Sequence, residues 1–236
     1  MHLSIILPAH NEGARLSRCV ERVVRTCAAI TNDYEVIIAE DGSTDSTYDI
    51  ARKLAKGSGR IRLLHSDERL GRGEALARAL RTARGDIAVY MDIDLATDLK
   101  HLRALVGEVE KGAAIATGSR YAPGARASRT LLRDVASRGY NLLARLLLGS
   151  RVSDHQAGFK AFDLRQVLPW LHEVEDKHWF WDTEILVRAQ RKGLRIAEVP
   201  IEWREGRSST VKLRNDILYM GWKLLELRRK LAGARR

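Results

Sequence analysis

Short apolar runs rich in β-branched residues alternate with segments of helical periodicity over the first half of the chain. The apolar runs predict strands at residues 3–7, 34–39, 61–65, 87–91 and 113–117. Between them, apolar residues recur at intervals of three and four, which predicts helices at residues 14–30, 46–56, 73–83 and 98–110. Strands that alternate with helices are typical of an α/β fold with a mainly parallel sheet flanked by helices.

This rhythm ends after residue 117, and two amphipathic helices are predicted beyond it. We expect the first, at 131–148, to cover a core, with an interfacial role as the alternative; its apolar face is Leu132, Val135, Ala136, Gly139, Leu143, Leu146 and Leu147. The second, a basic helix at 213–236, has an apolar seam at Leu213, Ile217, Met220, Leu224, Leu227 and Leu231. That seam fits packing on its own domain, dimerisation, or membrane contact with Trp222 at the interface. We therefore predict a catalytic domain at 1–212 followed by this helix.

The chain has 236 residues, 45% hydrophobic and 30% charged, which is long enough for one large core. Its net charge is +11, and the last 34 residues hold ten Lys or Arg against three Asp or Glu. This concentration indicates an anionic partner, such as a phosphate-rich ligand, nucleic acid or lipid headgroups, or else a solvated basic face. We expect no membrane span and no secretory signal. Cys19 and Cys27 do not form a disulfide framework, which fits a reducing cytosol.

Polar clusters follow the first two predicted strands. They are Pro8-Ala9-His10-Asn11-Glu12 and Glu40-Asp41-Gly42-Ser43-Thr44-Asp45. Ligands of open parallel sheets bind beyond the carboxyl ends of the strands, where acidic and amide groups can accept hydrogen bonds from a nucleobase and a ribose. Capping of the following helices is the alternative explanation for each cluster.

The fourth predicted strand ends in two carboxylates, Asp92 and Asp94. At this spacing both can reach a hard divalent cation that also binds a diphosphate, so we expect Mg²⁺ or Mn²⁺. Cations at Arg120 and in residues 207–212 suit phosphate recognition, with ordinary surface placement as the alternative for each. Residues 154–162 and 179–184 are dense in aromatic and charged side chains, which suits either sugar contact or a core.

Six motifs occur in order along the chain: Pro8-x-x-Asn11-Glu12, Glu40-Asp41-Gly42-Ser43-Thr44-Asp45, Asp92-x-Asp94, Gly118-Ser119-Arg120-Tyr121, Gln156-x-Gly158-Phe159-Lys160 and Phe180-x-Asp182-x-Glu184. Over about residues 3–212, the chain resembles the family 2 glycosyltransferases of GT-A fold, particularly the dolichol-phosphate mannose and glucose synthases. The resemblance implies a Rossmann-like GT-A sheet and a divalent metal. It also implies inverting transfer of a hexose from GDP-mannose or UDP-glucose to dolichyl or polyprenyl phosphate, with mannose favoured, at the cytoplasmic face of a membrane.

The resemblance further implies roles for individual residues. The nucleoside is expected beside Pro8, Asn11, Glu12, Glu40 and Asp41, and the ribose, diphosphate and metal beside Asp92 and Asp94. Phosphate, including that of the lipid acceptor, is expected at Arg120, Arg138, Arg207 and Lys212, and acceptor-side acids at Asp182 and Glu184. The chain departs from the family pattern at Glu40 (usually Asp), Ala96 (often Gln) and Arg72 (usually Lys).

Three hypotheses follow. A polyprenyl phosphate is already anionic near neutral pH, so it needs little help from a general base. A GT-A enzyme with a hydroxyl acceptor would instead need Asp182 as the base. A basic nucleic-acid-binding protein is the third hypothesis, but it leaves the carboxylates at the strand ends unexplained, so we expect no nucleic-acid partner.

Overall fold

The computed structural model describes residues 2–204 and 213–233. All five strands predicted from the sequence are present: β1 (Leu3–Ala9), β2 (Tyr34–Glu40), β3 (Ile61–Leu64), β4 (Ile87–Met91) and β5 (Ile115–Ser119). The described residues also form β6 (Arg126–Ser128), β7 (Phe159–Asp163), β8 (Ile196–Pro200) and β9 (Glu202–Arg204). The α/β class predicted from the sequence is confirmed.

The helices follow the predicted positions closely. They are α1 (Gly13–Ala28), α2 (Thr47–Lys56), α3 (Arg72–Thr82), α4 (Leu102–Glu110), α5 (Leu131–Leu148), α6 (Leu164–Val167), α7 (Trp181–Arg191) and α8 (Leu213–Gly233). Short 3₁₀ turns at Leu99–His101 and Leu168–Glu173 adjoin α4 and α6. The sequence predicted neither α6 nor α7: α6 has only four residues, and Asp182, Glu184 and Arg188 interrupt the apolar pattern of α7.

Within the described residues, seven strands form one sheet in the order β3-β2-β1-β4-β7-β5-β8. Neighbouring strands are parallel except at β7, which runs antiparallel to both β4 and β5. The strand order changes direction at β1, so the carboxyl ends of β1, β2 and β4 border a common crevice. Strands β6 and β9 pair in a separate ribbon.

Apolar layers cover both faces of the sheet, because successive side chains of a strand point to opposite sides. Ile5 and Val36 belong to the layer that includes residues of α1 and α4. Ile6, Ile37 and Tyr90 belong to the opposite layer, with residues of α3 and α7. The two layers hold the strand ends rigidly, which gives the loops at the crevice a fixed base.

Helices α5 and α8 pack against each other and against α7 in a third apolar cluster. In α8, the seam residues Met220, Leu224, Leu227 and Leu231 are buried there, which confirms packing on its own domain. The side chains of the other two seam positions, 213 and 217, lie outside the described residues. Among the helices described, none is long and apolar enough to cross a membrane.

The expectation that the apolar face of α5 covers a core is wrong. The helix buries Asn141, Ala144 and Leu148 against α8 and the rest of the domain. Its apolar face lies in solvent instead, with Leu132 68% and Leu146 71% exposed and with Val135 and Leu143 exposed beside them. The contact with α8 selects the buried face of α5, and the sequence of α5 alone does not contain that information.

Candidate active site

The loops after β1 and β2 are tied together at the crevice. Asn11, which has a left-handed backbone (φ 55°), accepts a hydrogen bond from the Thr44 backbone N–H at 2.9 Å. Its own N–H donates to Ser43 Oγ at 3.0 Å. Pro8 lies beside Ala39 in the parallel register of the two strands, and Glu12 precedes the first residue of α1. The structure therefore brings the two predicted clusters together at one edge.

The carboxylates of Glu40 and Asp41 are buried at the end of β2. Asp41 accepts hydrogen bonds from the backbone N–H groups of Leu70 at 2.7 Å and Gly71 at 2.9 Å. Glu40 accepts one from the Ser43 N–H at 2.6 Å and contacts His65. Both carboxylates therefore hold the loops around the crevice in place through hydrogen bonds. These hydrogen bonds also account for their burial beside the expected nucleoside.

Asp92 and Asp94 follow β4 at the same edge. Partial desolvation, with the charge of Asp92, raises the pKa of Asp94. Partial burial, with the charges of Asp94 and Asp92, likewise raises the pKa of Glu12. Glu12, Asp92 and Asp94 form what we call the acidic edge. Arg15 contacts Glu12 at 3.7 Å and Arg72 contacts Asp92 at 2.8 Å, and a bound cation would offset the remaining repulsion among the three carboxylates.

A divalent metal fits these donors. In residues 2–204 and 213–233, no group of three His, Cys, Asp or Glu side chains converges closely enough to hold a metal. Two carboxylates that share the cation with substrate phosphate oxygens are the usual arrangement for Mg²⁺, which keeps few protein ligands. Asp92 and Asp94 supply that pair of hard oxygen donors.

Gly158 lies against Asp92. The Asp92 N–H donates to the Gly158 carbonyl oxygen at 3.1 Å, and a Cβ on residue 158 would lie 1.8 Å from Asp92 Oδ2. Only a glycine leaves room for the carboxylate in this position. The glycine of the Gln-x-Gly-Phe-Lys motif therefore allows the Asp92 carboxylate to occupy its observed position.

A buried ion cluster lies directly behind Asp92. Asp182, at the start of α7, contacts Lys160 Nζ at 3.0 Å and Arg72 Nη1 at 2.6 Å, and it also accepts a hydrogen bond from the Tyr90 hydroxyl. Burial alone would raise the pKa of Asp182, but Lys160 and Arg72 hold it below its ordinary value. Arg72 also donates to Asp92 Oδ1 at 2.8 Å, so the cluster reaches the edge of the crevice.

Glu184 does not join the ion cluster of Asp182 and contacts other residues. It accepts hydrogen bonds from the backbone N–H groups of Glu175 and Asp176 at 3.1 and 2.8 Å. It also pairs with Arg188 at 2.7 Å. Its carboxylate therefore holds the segment that precedes α7 in place, although the sequence suggested a role facing the acceptor.

An arginine-lined cavity of about 400 Å³ lies between β6 and the start of α5; its walls are Arg120, Ala125, Ala127, Arg129, Leu131, Asp134 and Arg138. Arg120 donates through Nε and Nη2 to Asp154, both at 2.7 Å, and Arg138 pairs with Asp134 at 2.6 Å. Asp154 thereby holds the Arg120 guanidinium group in one orientation at the cavity. The structure brings the two predicted phosphate residues 120 and 138 together here, whereas Arg207 and Lys212 lie outside the described residues.

Sequence reasoning missed two residues of this region. Arg129 lies between Arg120 and Arg138 in the sequence without belonging to any motif; burial and the charge of Arg120 lower its pKa. Trp203 of β9 lies under the guanidinium groups of both Arg120 (5.5 Å) and Arg129 (5.3 Å). It also lines the small recess formed by Asp92, Asp94 and Gly158. The acidic edge and the arginine cavity are therefore neighbours that share one tryptophan.

The mainly parallel sheet flanked by helices is also found in solved structures. A glucosyl-3-phosphoglycerate synthase from Mycobacterium tuberculosis, solved with Mn²⁺, UDP and glucosyl-3-phosphoglycerate, matches the fold with a TM-score of 0.67 at 23% identity, over 95% of this chain and 77% of that one. The fold is therefore of the GT-A type. Residues 4–167 match the family described as Glycosyl transferase family 2, and the chain belongs to that family.

Two relatives are similar over nearly the whole chain. Glycosyltransferase AglD of Haloferax volcanii is 49% identical over 228 residues, which cover 95% of this chain and 36% of that protein. A dolichyl-phosphate beta-glucosyltransferase of Dictyostelium discoideum is 30% identical over 249 residues, which cover 95% of this chain and 75% of that protein. The chain thus spans little more than a third of the length of AglD.

Proposed function

We propose that the chain transfers a hexose, with inversion, from a nucleotide sugar to the phosphate of a polyprenyl or dolichyl lipid. The observation that carries this proposal is the arginine-lined cavity next to the acidic edge. One site holds carboxylates suited to a metal and a diphosphate, and the other holds guanidinium groups suited to a second phosphate. The name of the Dictyostelium relative supports a dolichyl-phosphate acceptor.

The sugar is part of the proposal. The overall resemblance favoured mannose, but the dolichyl-phosphate relatives at about 30% identity are named glucosyltransferases. We therefore propose UDP-glucose as the first donor to test and keep GDP-mannose as the alternative.

The chemistry needs positioning and charge more than it needs a base. A phosphate oxygen of the acceptor would form a bond to the anomeric carbon while the bond from that carbon to the diphosphate oxygen breaks, and the diphosphate leaves with the electron pair. Asp92 and Asp94 would hold Mg²⁺ or Mn²⁺, whose charge stabilises the leaving diphosphate. Arg120, Arg129 and Arg138 would bring the anionic acceptor close to the anionic donor.

A transfer assay tests the reaction. Purified protein with Mn²⁺ or Mg²⁺ is given UDP-glucose or GDP-mannose, each with and without a short-chain polyprenyl phosphate. We expect a lipid-linked hexose from one donor, and none when the metal is chelated. Transfer to a soluble acceptor in place of the lipid would assign a different acceptor to this site.

We further propose that the exposed face of α5 lies on the membrane surface, at the cytoplasmic side, where a lipid phosphate would enter the cavity. Leu131 lines that cavity and is 80% exposed, so the apolar face begins at its mouth. Trp222 and Leu225 of α8 add exposed apolar area. The exposed Arg145 and the partly buried Arg133 of α5 supply positive charge for anionic headgroups. The buried thiols of Cys19 and Cys27 suit a reducing compartment.

Vesicle sedimentation tests this surface. We expect the protein to bind vesicles of phosphatidylcholine with phosphatidylglycerol, and the double substitution Leu132→Glu/Leu146→Glu to abolish most of that binding. The matched control is Lys53→Gln/Lys56→Gln on α2, which changes the net charge by the same amount away from α5. An equal loss of vesicle binding in both variants would indicate a general effect of net charge. That result would refute membrane contact by the exposed face of α5.

A further inference from the structure

The buried cluster of Tyr90, Lys160, Asp182 and Arg72 is connected to the crevice through Arg72. Its guanidinium group spans two carboxylates, with Nη1 on Asp182 at 2.6 Å and Nη2 on Asp92 at 2.8 Å. The Arg72 side chain is only 13% exposed, whereas that of Asp92 is 43% exposed. The arginine therefore links a carboxylate in the interior to a partly exposed one at the crevice.

Both carboxylate oxygens of Asp182 are engaged by donors inside the protein. Its Oδ1 is shared by the Tyr90 hydroxyl and Lys160, and its Oδ2 receives Arg72. Its side chain is 5% exposed, and Lys160 is fully buried behind it. A general base must reach the proton that it removes, and this carboxylate is held away from the crevice by three donors.

Arg72 is held in place from several sides. Its guanidinium group lies 5.1 Å from the ring centre of Tyr90 and 5.2 Å from that of Trp179. The preceding residue, Gly71, has φ 105° and donates its N–H to Asp41 at 2.9 Å, which fixes the turn that starts α3. A planar guanidinium group can bind both carboxylates at once, which the point charge of a lysine cannot do with the same geometry.

Asp92 is therefore confined between Arg72 on one oxygen and Gly158 near the other. We propose that Asp182 is a positioning residue: through Arg72 it holds the Asp92 carboxylate in the orientation that binds the metal, and it does not act as a general base. This inference rests on the proposed function only in taking Asp92 as a metal ligand. It gives a physical reason for an arginine at position 72, since its two Nη atoms bind the two carboxylates.

A Mn²⁺-binding measurement tests the proposal without an activity assay. Bound Mn²⁺ is followed by electron paramagnetic resonance, once with UDP present and once with GDP present. Asp182→Asn keeps an oxygen for Lys160 and Tyr90 but turns an amide N–H toward Arg72. We expect Asp182→Asn and Arg72→Lys each to weaken Mn²⁺ binding by about 10- to 100-fold, the usual effect of losing a group that orients a metal ligand. The double variant should be no weaker than Arg72→Lys alone, because both changes break the same chain of contacts.

The matched control is Glu35→Gln. Glu35 is also a buried carboxylate paired with an arginine, Arg62 at 2.6 Å, but it lies at the amino end of β2, away from the crevice. We expect this variant to bind Mn²⁺ like the unsubstituted protein.

Turnover separates positioning from base catalysis. A positioning role predicts that the KM for Mn²⁺ rises in Asp182→Asn while kcat at saturating Mn²⁺ stays within about tenfold, whereas loss of a base lowers kcat by about 10² to 10⁴. Unchanged Mn²⁺ binding in Asp182→Asn, or additive losses in the double variant, would overturn the inference. If the unsubstituted protein bound no Mn²⁺ with either nucleotide, both the inference and the metal assignment would be overturned. If it bound Mn²⁺ but transferred no hexose to the lipid, only the proposed acceptor would be refuted.

Discussion

The buried His155 should make the stability of this protein fall steeply in mild acid. The residue follows Asp154, the partner of Arg120, and is fully buried. Its Nδ1 donates to Asn141 Oδ1 at 2.8 Å and its Nε2 accepts from Ser150 Oγ at 2.8 Å, so both ring nitrogens are satisfied in the neutral form. Burial lowers the pKa of His155 to about 4.

The magnitude follows from the difference between folded and unfolded chains. An unfolded histidine has a pKa of about 6.5. The unfolded chain therefore binds more protons than the folded chain between the two pKa values, so stability falls as the pH falls through this window. From pH 7 to pH 5, this single residue should lower the free energy of unfolding by about 2 kcal/mol.

Urea denaturation at pH 7 and pH 5 measures this effect, with His155→Gln as the variant that cannot titrate. The other histidines are present in both proteins, so their contributions cancel in the comparison. We expect the unsubstituted protein to lose about 2 kcal/mol more than His155→Gln over this pH range, whatever their stabilities at pH 7. Equal losses in the two proteins would show that His155 is not held neutral and would refute the reasoning.

Three further predictions concern the site itself. Gly158→Ala should abolish Mn²⁺ binding because its Cβ would overlap the Asp92 carboxylate. Gly139→Ala, with no atom within 4 Å of the added carbon, should leave Mn²⁺ binding unchanged. Mn²⁺ titration distinguishes the two variants, and normal binding in Gly158→Ala would contradict the assignment of Asp92 as a metal ligand. Arg129→Ala should raise the KM for polyprenyl phosphate by about 10- to 100-fold, as expected for a lost charged hydrogen bond. The KM for the nucleotide sugar should stay unchanged. Steady-state kinetics measures both constants, and a rise in the KM of the nucleotide sugar alone would refute this role. Asp94→Ala should remove metal-dependent binding of the nucleotide sugar, measured by calorimetry, and full turnover in that variant would exclude Asp94 as a metal ligand.

Local sequence was sufficient for the parts of the site that lie at strand ends. Asp92 and Asp94 follow a run of apolar residues that forms β4, and the parallel sheet then places them at the open edge beside Asn11 and Glu12. Arg120 follows β5 in the same way. These positions could be predicted because strand direction alone decides which end of each strand meets the crevice.

Strand β7 could not be predicted in this way. Its sequence places Lys160 second in a five-residue strand, and a lysine at such a position argues against a buried strand. The lysine is nevertheless fully buried, because Asp182, Tyr90 and the carbonyl oxygens of His155 and Ala157 surround its ammonium group. Asp182 and Tyr90 come from distant parts of the chain, so the fold supplies the charge and the hydroxyl that this buried lysine needs.

The amino-acid sequence by itself determined the alternation of strands and helices, the polar loops at the strand ends and the amphipathic character of α5, because each depends on residues close together in the chain. Only the tertiary structure decided which face of α5 is buried, since Ala144 and Leu148 pack against α8. It also decided that Asp182 lies in the interior with Lys160 and Arg72, 22 and 110 residues away in sequence. The energy of a buried charge depends on which groups surround it, and the fold brings those groups together from distant parts of the chain.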